Sequence, residues 1–344
     1  MTTAIVLTLA IAAAFSAGLV VAMMPLLRRY ALARPNARSS HAEPTPQGAG
    51  VAVVLATLVA TGIGLVFAAS QVDAVREATV VLGASLLLAA TGAVDDLRPL
   101  GPVAKLVPQI LAVGLAILLA APPEARLFPE LPLAVERALA ILAGVWFVNL
   151  VNFMDGIDWI TVAGCGVPLA ALALLGGVTI SQGMAAPLLT AALCGALIGF
   201  APFNKPVARV FLGDVGSLPI GLILGYGLYR LALAGHLAAS LILPLYYLWD
   251  SGATLLQRLS RREAFWEAHR SHVYQRATDA GWSVAAVVGH IFFLNLVLDG
   301  LALISVWQDS VPISAVMLVI AVGLVAVSSA RLTAGPSAMR ETSA

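Results

Sequence analysis

Residues 133–158 read LAVERALAILAGVWFVNLVNFMDGID. The first sixteen, 133–148, are nearly all apolar and predict a greasy helix. Asn149, Asn152, Asp155 and Asp158 then arrive at every third position. On a helix each such step turns by about 300°, so the first three fan over one side. Gly156 interrupts the helix. Two amides and two acids could simply cap that end. Acids at a helix C-terminus oppose the macrodipole, however, so their placement favours a bound cation or another positive partner.

The rest of the chain sets the context. Of 344 residues, 60% are hydrophobic and 11% charged, where a soluble domain carries about 25% charged residues. The chain is therefore read as an all-α, polytopic integral membrane protein. A spanning helix needs about 20 mostly apolar residues. Eleven segments qualify, at roughly 3–25, 48–69, 78–94, 104–121, 134–152, 159–179, 183–202, 217–234, 237–256, 283–305 and 311–330. The first lacks the basic start of a cleaved signal peptide; Arg28 and Arg29 follow its apolar run. Residues 1–331 are expected to form a single transmembrane catalytic domain, and 332–344 a disordered cytoplasmic tail. The net charge of +1 gives no reason to expect nucleic acid. Cys165 and Cys194 both fall in apolar segments and read as small core residues.

Basic residues orient the spans. Alternate loops and the C-terminal tail hold 15 of the 19 lysines and arginines; Arg76, Arg126, Arg137 and Arg230 lie on the other side. The positive-inside rule then predicts N-out, C-in. In that arrangement Asp95 and Asp96 (GAVDDL), Asp155 and Asp158, Asp214 (FLGDVGS) and Asp250 all fall at or near the cytoplasmic face. Carboxylates converging from four parts of the chain suit Mg²⁺, which takes oxygen ligands and bridges to phosphates. Basic loops beside them suit an anionic substrate. Asn295 and Asp299, four apart in the tenth span with His290 nearby, read instead as structural hydrogen-bonding groups between helices.

These motifs, in order, resemble the polyprenyl-phosphate N-acetylhexosamine-1-phosphate transferases, in particular the undecaprenyl-phosphate GlcNAc-1-phosphate transferase-like enzymes. The resemblance runs from RPNARSSHAEPTPQGAG (34–50), through GAVDDL (92–97) with Lys105 and Gln109, NLVNFMDGID (149–158) and FLGDVGS (211–217), to Asp250 and AHRSHVYQR (268–276). It implies attack by a polyprenyl phosphate, usually undecaprenyl phosphate, on the β-phosphorus of a UDP-N-acetylhexosamine, with Mg²⁺ or Mn²⁺ as cofactor and UMP as leaving group. It implies catalytic roles for Asp95, Asp96, Asp214 and His272, with Asp214 and Asp96 as metal ligands. It assigns substrate contacts to Thr45, Lys105, Asn149, Asn152, Asp155, Asp158, Phe211, His269, Arg270 and Arg276. The expected partners are the lipid phosphate, the nucleotide sugar and the membrane, with a homodimer left open; the expected location is a bacterial inner membrane.

Departures bear on the donor sugar. His272, Tyr274 and Gln275 stand where many relatives have three histidines, Arg34 replaces a common Asp, and Gln47 replaces a common Arg. The HRSHVYQR register is similar to that of O-antigen and exopolysaccharide initiators. UDP-GlcNAc and the UDP-linked N-acetyl-6-deoxyhexosamines (FucNAc, QuiNAc) are thus both candidate donors. The competing reading is a transporter or a flippase of lipid-linked sugars. That reading expects key polar groups near the bilayer midplane, whereas here they gather at one surface.

Overall fold

The computed structural model describes residues 2–33, 44–179, 183–261 and 271–341. His269, Arg270 and residues 34–43 of the first motif lie outside the described residues. The chain is an all-α membrane protein: nine helices are long and apolar enough to cross a bilayer among the described residues. They are α1 (Thr2–Tyr30), α2 (Gly50–Phe67), α3 (Val72–Leu97), α4 (Pro102–Leu115) with a π-helical extension Ala116–Ala120, α5 (Leu133–Met154), α7 (Ala185–Phe200), α8 (Asp214–Leu233), α12 (Val284–Gln308) and α13 (Val311–Glu341).

The two other expected spans take different forms. The sixth is shorter: a π-helical stretch Val162–Gly166 runs into α6 (Val167–Thr179). The ninth is broken into α9 (Leu237–Ile242) and α10 (Leu245–Ser260), with Pro244 at the break. Proline lacks the N–H that would continue the helical ladder. A short helix, α11 (Val273–Asp279), precedes α12. Two-residue strands β1 (Leu32–Ala33) and β2 (Thr45–Pro46) pair antiparallel, Leu32 opposite Pro46. Helix α13 is kinked at Gly335 (φ 85°) and runs on to Glu341, so most of the segment expected as a tail is helical.

Helix α8 is the axis of the bundle. In its spanning window 89% of residues are buried, against 17% for α13, which therefore meets lipid. Helices α3, α5 and α7 surround α8, and α1 lies against α7. Small residues permit these approaches. Gly195 and Gly199 of α7, for example, lie against the backbone of Leu9 and Ala13 of α1. Helices α3 and α5 run antiparallel to α8: Asp96 and Asn152 meet its start, while Glu77 and Arg137 meet its end at Arg230 and Tyr229.

Candidate active site

The start of α8 organises the site. Gly213 precedes it with φ 78°, a conformation that admits glycine readily. A side chain there would also strike the Asp96 carboxylate, at 2.5 Å from Oδ2. Gly92 of α3 lies against the backbone of Asp214, and this brings the end of α3 onto the start of α8.

Asp96 uses that closeness. Its Oδ1 accepts the backbone N–H of Asp214 at 3.0 Å and its Oδ2 that of Val215 at 3.1 Å. Gln47 Nε2 donates to Oδ1 at 2.6 Å. A helix N-terminus has unsatisfied N–H groups and a positive dipole end, so Asp96 caps α8 from a neighbouring helix. Gln47 in turn bridges Phe211 through its backbone, where Phe211 N–H donates to Pro46 O at 2.8 Å and Gly48 N–H to Phe211 O at 3.1 Å. One latch thus joins the first motif, GAVDDL and FLGDVGS. Thr45 is buried in β2, and Phe211 is partly buried.

Asp95, one residue earlier, points about 100° away around α3. Its Oδ1 accepts the Leu100 N–H at 2.7 Å, and its Oδ2 pairs with Lys105 Nζ. That ammonium also lies 3.6 Å from Asp214 Oδ2. Asp214 Oδ1 accepts Asn152 Nδ2 at 2.9 Å, and the same amide donates to Ser217 Oγ at 2.8 Å. Asp95, Lys105, Asp214, Asn152 and Ser217 therefore form one connected group. Asn149 sits elsewhere, in the α4–α5 seam, in a reciprocal amide pair with Gln109 (2.6 and 3.2 Å).

The loop after α5 forms a second wall. The Thr161 hydroxyl donates to Asp155. Burial pushes the Asp155 carboxyl up to about 6 against that hydrogen bond, and the charges of Asp96 and Asp158 add to the rise. Asp158 is buried and accepts the Ala208 N–H at 3.0 Å. Asn204 accepts the Trp159 N–H at 2.9 Å and donates to Val210 O at 3.0 Å. Asp158 and Asn204 thus hold the 155–160 loop against the 201–213 loop that carries Phe211.

His272, for which the resemblance implies a catalytic role, stands at the start of α11. It is buried, and its Nδ1 lies 3.0 Å from Asp250 Oδ1. Asp250, fully buried, also accepts the Val273 N–H at 2.9 Å and thereby caps α11. Tyr274 of α11 donates its hydroxyl to Phe153 O at 3.3 Å and fills the space beside Gly156. The pair Asp250–His272 therefore fixes α11 against α10, and Tyr274 fixes it against the end of α5. Arg276 is exposed, one turn after His272.

Gln47, Ser217, Thr161, Asn204 and Tyr274 were not assigned roles from sequence. Ser217 carries a readable signal, since it follows Asp214 by three residues on one helix face. Thr161 reaches Asp155 six residues back in its own loop, while Gln47, Asn204 and Tyr274 meet their partners only through tertiary contacts.

The donors fit a hard divalent cation. No group of three His, Cys, Asp or Glu side chains is spaced to hold a metal unaided among the described residues. Asp95 and Asp214 nevertheless offer facing carboxylates with the Lys105 ammonium between them, and Asn152 keeps its amide oxygen. Mg²⁺ takes one or two carboxylates and fills its remaining positions with water and substrate phosphate. Asp96 has each oxygen bound by a backbone N–H at the start of α8, whereas Asp95 and Asp214 each turn one oxygen towards the long Lys105 side chain, which a cation could displace, so they are the better-placed pair.

Residues 78–232 match the sequence profile of glycosyl transferase family 4. The chain is 31% identical over 239 residues to a decaprenyl-phosphate N-acetylglucosaminephosphotransferase of Mycobacterium tuberculosis, covering 63% of this chain and 57% of that relative. It is 25% identical over 312 residues to a protein of Bacillus subtilis named "Probable undecaprenyl-phosphate N-acetylglucosaminyl 1-phosphate transferase", covering 81% of each. A phospho-N-acetylmuramoyl-pentapeptide-transferase of Limosilactobacillus fermentum is 31% identical over 168 residues, 47% of this chain and 50% of the relative. The match thus spans little more than half the length of the mycobacterial relative.

Proposed function

From the premise that this chain belongs, through residues 78–232, to glycosyl transferase family 4, we propose that it transfers an N-acetylhexosamine 1-phosphate from a UDP-sugar to a polyprenyl phosphate. The bond formed joins a lipid-phosphate oxygen to the donor's β-phosphorus. The bond broken joins that phosphorus to the oxygen bridging to UMP, which leaves with the electron pair.

The observation that carries this reading is the meeting of Asp95, Asp214, Lys105 and Asn152 at the capped start of α8. Phosphoryl transfer asks a protein mainly to position the reactants and neutralise charge. Lys105 is placed to leave Asp95 for a diphosphate oxygen. Asp95 and Asp214 are the residues that would hold Mg²⁺, or Mn²⁺, which when bound neutralises charge on the phosphates. Asp96 keeps the start of α8 in place rather than touching the reacting atoms. The 155–160 and 201–213 loops, joined through Asp158 and Asn204, would seat the nucleotide, with Phe211 beside it. Arg276 lies on the exposed side, where an anionic group could reach it.

An apolar cavity of about 240 Å³ supports a lipid acceptor. It begins at Val148 and Gly221, about one turn from Asn152 and Ser217, and continues past Ile117, Phe147, Tyr229 and Leu248. A chain lying there would bring its phosphate to the carboxylates.

The names of the relatives point to N-acetylglucosamine as the sugar transferred, which makes UDP-GlcNAc the first donor to try, while the HRSHVYQR register keeps the N-acetyl-6-deoxyhexosamines in view. The site would face the cytoplasm in a bacterial inner membrane, with the lipid product starting a surface glycan such as O-antigen. A transporter fits less well, because its polar site belongs near the midplane.

The test is purified protein with undecaprenyl phosphate, Mg²⁺ and, separately, UDP-GlcNAc, UDP-GalNAc, UDP-FucNAc and UDP-QuiNAc, with lipid products identified by mass spectrometry. A lipid diphosphate-sugar with at least one donor is the expected result. No such product with any donor would overturn the assignment.

A further inference from the structure

Away from the candidate site, α12 carries Asp299 near the middle of its length. Asp299 is 7% exposed, and its Oδ1 has no hydrogen-bond partner. The sequence pairs Asn295 and Asp299 as structural groups between helices. Asn295 meets that expectation, donating to Ala163 O at 3.0 Å, but no such partner accompanies Asp299 Oδ1. A buried polar atom left unpaired is costly and calls for a reason. In a membrane helix an unpaired acid is a functional-site hypothesis by default.

The surroundings supply one. Asp299 lines a cavity of about 450 Å³ between the π-helical stretch Val162–Gly166 with α6, α7 and α12. Its other walls are apolar or small, and they include no basic side chain. Leu174 and Ile198 at its edge are exposed on the membrane-facing surface, at 61% and 50%. A methyl added at Gly166 or Gly300 would meet nothing, so the space is real room rather than tight packing. An engineered apolar cavity of about 150 Å³ admits benzene. This one therefore holds on the order of three times as much, enough for a medium-length alkyl chain.

We propose that this cavity binds a membrane-dissolved, uncharged, single-chain amphiphile whose head donates a hydrogen bond to Asp299. A plain acyl chain would fill the volume but leave the carboxyl unpaired. A charged head would need its own desolvation repaid in an apolar setting. A carboxamide or hydroxyl head satisfies Asp299 at lower cost, while its chain covers Leu174, Ile198 and Leu296. This site is separate from the carboxylate cluster and does not depend on the proposed transfer reaction.

The probes are dodecanamide and dodecan-1-ol, added to the full chain in nanodiscs and compared with dodecane and tridecane, which form no hydrogen bond. The readout is the thermal unfolding midpoint against probe mole fraction. The donor probes are expected to reach half-maximal stabilisation at about fivefold lower mole fraction than the non-donors, the gain of one ordinary hydrogen bond. Asp299→Leu should erase that difference. Gly300→Leu, which fills the space and leaves the carboxyl in place, should abolish the response to the donor probes. Equal midpoints for donor and non-donor probes in the wild-type protein would overturn the proposal. So would a preference for donors that survives in Gly300→Leu.

Discussion

Two groups of charge stand at opposite ends of α3, α5 and α8. On α3, Glu77 and Asp96 are separated by nineteen steps, about 28 Å of helix and close to the thickness of a bilayer's hydrocarbon core. At the far end Glu77 and Glu136 each have a guanidinium. Glu77 pairs with Arg230 and accepts the Tyr226 hydroxyl at 2.9 Å. Glu136 pairs with Arg126 at 2.7 Å, and Arg137 donates to the Tyr229 hydroxyl and to Ala125 O. At the site end, Asp95 and Asp214 flank Lys105, while Asp96 and Asp158 lie close enough to Asp155 for their charges to act on its carboxyl. The far group neutralises itself and joins helices. The site group holds an excess of negative charge, which an incoming cation and its bound phosphates would balance.

Breaking the far group should damage folding and leave chemistry alone. Arg230→Met strands Glu77 in a buried setting, at a cost of about 3–5 kcal/mol. Its thermal midpoint should fall sharply, while turnover per folded molecule stays near wild type. Much of the loss should return in the double variant Glu77→Gln/Arg230→Met. A large drop in turnover per folded molecule would end the division of labour between the two ends.

Asp214→Asn should do the reverse. It removes charge from the site group and the attraction to Lys105 but leaves an oxygen to accept from Asn152, so turnover is expected to fall about 10²–10³-fold, as for loss of one preorganised transition-state contact, with little change in midpoint. Assays with matched thermal melts would show this, and near-wild-type turnover would refute the role given to Asp214. Gln47→Ala removes one of three donors to Asp96. A fall in kcat of about five- to tenfold with little change in KM is expected from a lost hydrogen bond, and an effect on KM alone would contradict a positioning role.

The smallest effect concerns Asp155. Its folded-state pKa of about 6 lies above the ordinary value of 3.8. The folded protein thus holds that proton more tightly, and the stability it confers is present at low pH and lost as pH rises through 6. In metal-free protein, Asp155→Asn should therefore gain stability relative to wild type between pH 4.5 and pH 7.5. Midpoints that move in parallel across that range would break the link.

Much of this frame is legible in the sequence. The expected span 134–152 is the helix Leu133–Met154, and 217–234 falls within a residue of the end of Asp214–Leu233. Long apolar runs leave a chain in lipid few alternatives to helix. The break at Pro244 was less visible, because the residues on both sides stay apolar. The π-helical stretch at Val162–Gly166 leaves no sequence trace; Tyr247, Cys194 and Asn295 reach the Ile160, Gly166 and Ala163 carbonyls from other helices. The dipeptide Asp95–Asp96 announces paired acids but not that one caps α8 while the other holds Lys105. That division depends on which side of α3 faces α8. The bond from Asp250 to His272 spans 22 residues and is likewise set by packing.

The most direct test of the charge argument is UMP release by the wild-type protein from UDP-GlcNAc, or from whichever donor the panel identifies, in the presence of undecaprenyl phosphate. The account predicts release that depends on Mg²⁺, stops on chelation and resumes when Mg²⁺ is restored. Undiminished release after complete removal of divalent cations would contradict it.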